Sequence, residues 1–336
     1  MEKIAFINGG TYIYWSSIIL ALAAFAAILA FAALYLNKSG NLLALVFTIP
    51  FCAAGSLYLS RLIHWYCRSD TYESMKAALT DHSWGSYALM GAFIACLAVA
   101  CIMRVLKISN NLPEMLDCMA LGGGVGIAVG RLASLFNASD RGVIVADSLG
   151  LPFAYPVTNA VSGAVENRLA TFMIQSVLTG AIVLILLLYM FISWTRKNKI
   201  KDGDICLLFL LCYGGCQVVL DSTRYDSLFL RSNGFISIVQ ILGLIAVLVP
   251  VVIFSVRMVK INGLKVSQFF LWVDIVALLG MAAYMEYYVQ RHGDKALYTY
   301  SIMSACVILT VVLTILIRWF ARGNKTVVSA AEEVEE

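Results

Sequence analysis

Long uncharged apolar runs alternate with short polar connections along nearly the whole chain. A bilayer hydrocarbon core of roughly 30 Å is crossed by about 20 apolar residues wound as a helix. On that measure the pattern predicts nine spans, over residues 12–36, 42–60, 84–103, about 113–137, 169–194, 205–220, 234–256, 266–284 and 296–317. The first run is too long for a signal-peptide core and lacks a convincing small-residue cleavage site, so it is expected to be retained. Pro113 suits the first turn of the fourth span, and Pro250 is expected to kink the seventh. Residues 138–168 mix Pro152, Pro156, Gly142, Gly150 and Gly163 with Val143, Ile144, Val145, Phe153 and Tyr155, a pattern too broken to span and expected to form a folded or interfacial excursion. The polar tail 326–336 is expected to be disordered. No soluble domain and no repeat is read. Because a helix satisfies its own backbone groups inside lipid, the fold class expected is all-α, a polytopic membrane helical bundle.

Composition agrees with the pattern: 61% of the 336 residues are hydrophobic and 13% are charged, which places the chain among integral membrane proteins. The net charge of +4 sums loops on two sides of a membrane. No basic tract with interleaved aromatics accompanies it, so no nucleic-acid partner is expected. Eight of the nine cysteines lie in or beside apolar runs and read as small packing residues, while Cys67 lies in a polar loop. Neither a disulfide nor a metal site is expected. Arg196, Lys197, Lys199 and Lys201 crowd one connection, and Arg257, Lys260 and Lys265 crowd another. The positive-inside rule makes those loops cytoplasmic, with the amino terminus outside and the tail inside.

A few polar residues stand out against this background. Gly122, Gly126 and Gly130 recur every four residues and let another helix backbone approach closely. Arg131 follows at once, about 27 Å along the helix from Pro113. It either snorkels to the interface or serves an anionic partner. Tyr213, Gln217, Asp221 and Arg224 share one narrow helical face. That stripe is either a wet interior surface or an Asp221–Arg224 pair anchoring a helix end. Arg61, His64 and Trp65 follow the second span, and His82 and Ser86 are one turn apart at the start of the third. Asp274 is an acid within the eighth span, expected to pair with a neighbouring helix.

The stretch Gly130-Arg131-Leu132-Ala133-Ser134-Leu135-Phe136-Asn137-Ala138-Ser139-Asp140-Arg141-Gly142 resembles the signature of bacterial prolipoprotein diacylglyceryl transferases, Gly-Arg-x-Gly-Asn-Phe-x-Asn-x-Glu-x-x-Gly. Gly130, Arg131, Asn137 and Gly142 match in register. Ser134 replaces the first Asn, and Ser139 takes the Glu position with Asp140 beside it. A second block, Tyr213 to Arg224, is similar to the family's Tyr-Gly-x-x-Arg-Phe-x-x-Glu-x-x-Arg. Tyr213, Gly214 and Arg224 agree, Asp221 stands for Glu, and Gln217 replaces the internal Arg. Gly234 and Gln240 fit the family's Gly-x-x-x-x-x-Gln segment, Arg61-Leu62 its Arg-Leu, and Tyr14 its first-helix Tyr. The family's His-Gly-Gly motif falls within 84–91, where the register puts Ser86 at the His.

What the resemblance implies is a seven-helix, transferase-like membrane domain over 1–257, with the excursion outside at 138–168. Two further transmembrane helices over 258–320 and a cytoplasmic acidic tail at 321–336 complete the chain. It also implies a bacterial plasma-membrane location and transfer of the diacylglyceryl group of phosphatidylglycerol to the lipobox cysteine of prolipoproteins. Membrane lipid and prolipoproteins would be the partners, and no cofactor or metal is implied. On this carry-over Arg131, Asp221, Arg224, Ser86 and Asp140 are catalytic. Tyr14, Arg61, Ser134, Asn137, Gln217 and Tyr213 bind substrate. Arginine forks take phosphate in two-point contact, so Arg131 and Arg224 are assigned the head group, with Asp221 orienting one of them. A thiol with a pKa of about 8.5 needs a proton acceptor, for which His82 or Asp140 would compensate the changed His. The alternative is a catalytically impaired relative that binds phospholipid or lipoprotein precursors. A secondary transporter would show inverted repeats and paired broken helices, and neither is present in the sequence.

Overall fold

The computed structural model describes residues 4–8, 10–38, 40–80, 87–137, 141–145, 153–158, 163–195, 200–230, 233–292 and 296–321. A strand pair opens the chain, β1 (Ile4–Asn8) against β2 (Thr11–Tyr14), followed by α1 (Trp15–Lys38) and α2 (Leu42–Cys67). After a 3-10 turn at Ser69–Thr71 come the short α3 (Met75–Thr80), α4 (Leu89–Val105) and α5 (Leu112–Gly130), the last continued by a 3-10 segment, Arg131–Leu135. The hairpin β3 (Ala154–Thr158) and β4 (Val165–Leu169) precedes α6 (Thr171–Thr195) and α7 (Asp204–Ser222). A third ribbon, β5 (Phe229–Leu230) with β6 (Asn233–Ser237), leads to α8 (Ile238–Asn262), α9 (Val266–Arg291) and α10 (Ala296–Phe320). Among the described residues eight helices are long and apolar enough to cross a membrane, counting α5 together with its 3-10 extension. The apolar α4 is shorter, at 17 residues. The molecule is a polytopic helical membrane protein, with its few strands confined to small ribbons.

The chain divides into two compact units, residues 1–209 with 216–242, and residues 210–215 with 243–336. In the first, the glycine ladder of α5 lies on α1. A Cβ at Gly122 would stand 2.8 Å from the Phe31 Cβ, and one at Gly126 would stand 2.8 Å from the Ala27 Cβ. Small residues therefore set the approach of the two backbones. Gly91 of α4 is pressed in the same way against the backbone of Leu59 and Ser60 in α2. At one end of this unit Phe31, Tyr35, Leu45, Val99, Met103 and Met115 form an apolar cluster. Beside it, the buried Asp117 of α5 accepts the backbone N–H groups of Gly203 (2.9 Å) and Cys206 (2.7 Å), with Lys38 Nζ at 3.6 Å. A carboxylate on a neighbouring helix thus caps the amino terminus of α7, where the helix dipole favours negative charge.

In the second unit Trp272 donates to Ser255 Oγ at 3.0 Å, and Asn262 Nδ2 donates to the Phe320 carbonyl at 2.8 Å. Thr310 and Thr314 are buried and return their hydroxyls to carbonyls one turn back in α10. The buried acid of α9 is Glu286, bonded to Gln290 at 2.9 Å, while Asp274 is exposed, contrary to its expected pairing.

Several element ends differ from the apolar pattern. Tyr12 and Tyr14 belong to β2 instead of the first helix, because the alternating Thr-Tyr-Ile-Tyr run finds a pairing partner in Ile4–Asn8. The second helix continues past residue 60 to Cys67, so Arg61 and His64 lie inside it and Cys67 is its buried last residue. Arg61 keeps its charge within the helix by laying its guanidinium over the Tyr87 ring at 4.8 Å. The fourth span tightens to 3-10 at Arg131 instead of running as α-helix to residue 137. Leu169 closes β4, so the next helix starts at Thr171. Gly234 lies in β6, and α8 begins only after Ser237, which with Gln240 forms a capping box. None of the nine cysteines is joined in a disulfide.

Candidate functional site

The two sequence blocks that stood apart along the chain meet through one extended strip, residues 141–145. On one side Gly142 N donates to the Leu169 carbonyl (2.8 Å), Leu169 N to Val143 O (3.0 Å) and Val145 N to Asn167 O (2.8 Å). On the other, Val143 N donates to Thr223 O and Tyr225 N to Arg141 O, each at 2.9 Å, so that Gly142 pairs antiparallel with Arg224. A Cβ at Gly142 would lie 2.6 Å from Thr171 Oγ1 and 2.7 Å from the Leu169 Cβ, so only glycine passes this crossing without displacing a neighbour.

Arg141 ties the same strip to the 3-10 segment. Its Nη2 donates to the carbonyls of Ser134 (2.8 Å) and Asn137 (2.7 Å), and its guanidinium lies over the rings of Tyr155 (4.2 Å) and Phe172 (4.6 Å). The side chain is 6% exposed. Stacking between aromatics and hydrogen bonds to carbonyls both offset the cost of burying this guanidinium. In the sequence Arg141 read as a spacer within the motif. Its charge in an aromatic-rich segment was the one available signal.

Past the end of α7, Arg224 donates from Nε to Asp226 Oδ1 at 3.0 Å, and its Nη2 lies 3.0 Å from the same oxygen. Its Nη1 stands 3.8 Å from Asp221 Oδ1. Asp221 is buried, accepting the Ser237 hydroxyl at Oδ2, while its backbone carbonyl takes the Ser227 hydroxyl at 2.8 Å. Ser237 and Gln240 exchange hydrogen bonds at the start of α8 (3.0 Å each), which locks the serine that holds the carboxylate. Asp226 and Ser237 were missed in the sequence. The spacing Ser237-x-x-Gln240 was the signal for the second, as a helix-start pattern. Nearby, Arg168 is paired with Glu166 at 2.9 Å and covers the Tyr225 ring at 4.6 Å.

One turn inward along α7, Gln217 accepts a hydrogen bond from Gln175 Nε2 at 2.8 Å across to α6. Thr171 and Thr223 meet at 3.2 Å above them. Of the other residues singled out from the sequence, Arg131 opens the 3-10 segment half-buried, Ser134 is buried within it, and Asn137 follows it. Tyr14 is exposed at the end of β2, next to Trp15, whose ring lies 6.1 Å from that of Phe136. Arg61 is buried under Tyr87, and His64 Nδ1 lies 3.0 Å from the Tyr72 hydroxyl. Tyr213 is buried on the stretch of α7 that counts with the second unit. Ser86, Asp140 and His82 lie outside the described residues.

The structure thus joins Ser134 and Asn137 to Arg224 and Asp221 through the strip, and sets Gln217 one turn from Asp221. Four guanidinium groups, of Arg131, Arg141, Arg168 and Arg224, share these segments with the carboxylates of Asp221, Asp226 and Glu166. Such a set can hold an anionic group while fixing the cations that bind it. Among the described residues no group of three or more His, Cys, Asp or Glu side chains is placed to hold a metal ion.

Comparison with known proteins bears on the same residues. A family model described as prolipoprotein diacylglyceryl transferase matches residues 3–256. The chain is 25% identical over 268 residues to a phosphatidylglycerol–prolipoprotein diacylglyceryl transferase of Finegoldia magna, covering 77% of this chain and 97% of the relative. It is 27% identical over 258 residues to the protein of that name in Clostridium kluyveri, covering 76% and 96%. With the Lactococcus lactis subsp. lactis protein of the same name it shares 26% identity over 219 residues, covering 65% and 78%.

Proposed function

Since the chain belongs to the prolipoprotein diacylglyceryl transferase family, we propose that it moves the diacylglyceryl group of phosphatidylglycerol onto the lipobox cysteine of secreted lipoprotein precursors. The observation that carries this reading is the Gly142–Arg224 pairing, which brings the signature segment and the end of α7 into one framework. The thiol gives up its proton, the sulfur attacks the glycerol carbon that bears the phosphate, and a C–S bond forms as the C–O bond breaks. The electron pair leaves on the phosphate oxygen, and the proton ends on the released glycerol phosphate.

Arg131 and Arg224 hold the phosphate as charge builds on it, and fixed donors are most effective at that point. Asp221, anchored by Ser237, keeps Arg224 in place. Ser86 and Asp140, with His82, are the candidates for receiving or relaying the thiol proton. Tyr14, Arg61, Ser134, Asn137, Gln217 and Tyr213 line the lipid and peptide path. The catalytic domain is residues 1–257, and residues 258–320 add two spans. The protein sits in the bacterial plasma membrane with its amino terminus outside and its tail in the cytoplasm, as the loop charges direct.

The test is purified protein with phosphatidylglycerol and a lipobox peptide, read by mass for the diacylglyceryl peptide. Thioether product is expected with the wild type, with a loss of about 10²–10³-fold on Arg131→Ala. Absence of product while the lipid is still bound would mark the chain as the impaired, lipid-binding relative.

A further inference from the structure

The polar contact between α6 and α7 continues inward beyond the site just described. Thr171 and Thr223 form its outer rung at 3.2 Å, and Gln175 and Gln217 form the next at 2.8 Å, one turn deeper in α6 and about 6 Å along the helix. Both glutamines are enclosed, at 1% and 3% exposure. A primary amide has one acceptor oxygen and two donor hydrogens. Gln175 donates to the oxygen of Gln217, which spends that oxygen and leaves Gln217 as a donor. Among the described residues Gln217 Nε2 is buried and has no hydrogen-bond partner. A buried donor left open is destabilising, and this one stands one turn inward from Asp221 and its Arg224 partner.

We propose that Gln175 is a positioning residue that holds Gln217 as a hydrogen-bond donor to an ester carbonyl of the phospholipid. The inference rests on the transferase reading for the placement of the phosphate at Arg224. α7 runs from the Asp117 end toward the Arg224 end, so Gln217 lies deeper than the cation. In a glycerophospholipid the ester carbonyls likewise lie deeper than the phosphate. Charge sorts the two contacts as well: a guanidinium matches the anion, and a neutral amide matches a neutral carbonyl. The site would therefore select diacyl, ester-linked lipid over its dialkyl ether counterpart, which carries the same phosphate and lacks the carbonyl.

The experiment compares diacyl with dialkyl phosphatidylglycerol in the full-length protein, by transfer kinetics and by lipid retention in native mass spectrometry. The wild type is expected to show a KM and a retention midpoint about tenfold better for the diacyl lipid, the worth of roughly one neutral hydrogen bond. Gln217→Leu should erase that preference, bringing the KM values and the retention midpoints for the two lipids together. Gln175→Glu, which accepts from the Gln217 amide and turns its oxygen toward the lipid, should erase it equally. Gln175→Met should weaken it, and should change nothing further in the Gln217→Leu background. Equal use of both lipids by the wild type overturns the proposal and points to a phosphate oxygen as the acceptor. So does a preference that survives in both Gln175 variants. Lack of thioether product from either lipid would defeat the transferase reading instead, and the retention measurement would still decide the role of the glutamine pair.

Discussion

Asp117 and Asp221 sit at opposite ends of α7, both buried and both beside one cation, yet they are held in different ways. Asp117 takes two backbone N–H groups from the first turn of the helix, with Lys38 at 3.6 Å. Those donors are part of the chain path and cannot turn away, and the dipole of α7 reinforces them. Asp221 lies at the carboxyl-terminal end, where the same dipole opposes a negative charge. Its support comes from side chains, the Ser237 hydroxyl at the start of α8 and the Arg224 guanidinium at 3.8 Å, which Asp226 also holds. A carboxylate clamped by backbone makes a joint. One held by a hydroxyl and a shared guanidinium leaves a cation that can re-aim toward a ligand.

Four substitutions test that contrast. Arg224→Ala should lower diacylglyceryl transfer by about 10²–10³-fold while leaving the thermal midpoint in detergent nearly unchanged. Arg224→Lys should recover only part of the rate, because a point charge cannot reproduce the fork. A large fall in midpoint with normal rate per folded molecule would place Arg224 with Asp117 as a joint. Asp117→Ala should do the opposite, costing roughly 2–4 kcal/mol of stability through two stranded backbone donors, with turnover of the surviving folded protein within about twofold. Lys38→Met should be nearly silent, below about 1 kcal/mol in unfolding measurements, because Lys38 is partly exposed and its pair is weak.

The spans were legible in the sequence because twenty-odd apolar residues in a row have few other fates. Their ends were legible only where capping chemistry was local, as at Pro113. Tyr12 and Tyr14 left the first helix because β1 was there to pair with, and no apolar window records that. Ser237 illustrates the opposite case, since the capping pattern Ser-x-x-Gln was present but lay beneath a hydrophobic run that extended across it.

The candidate site divides along the same line. Arg131, Asn137, Asp221 and Arg224 stood out by type and spacing, and Gly142 by its place in the motif. The roles of Arg141, Asp226, Ser237 and Gln175 were hidden, because each depends on a partner brought close by folding.

By itself the sequence determined a helical membrane protein, its approximate spans and the two blocks that mark its family, because transfer free energy and backbone satisfaction in lipid act on local stretches. Only the tertiary structure decided that those blocks share the 141–145 strip, that Arg141 is stacked between two rings, and that Gln217 keeps a donor in reserve. Each of these is a relation between side chains distant in the chain, and only packing sets such relations.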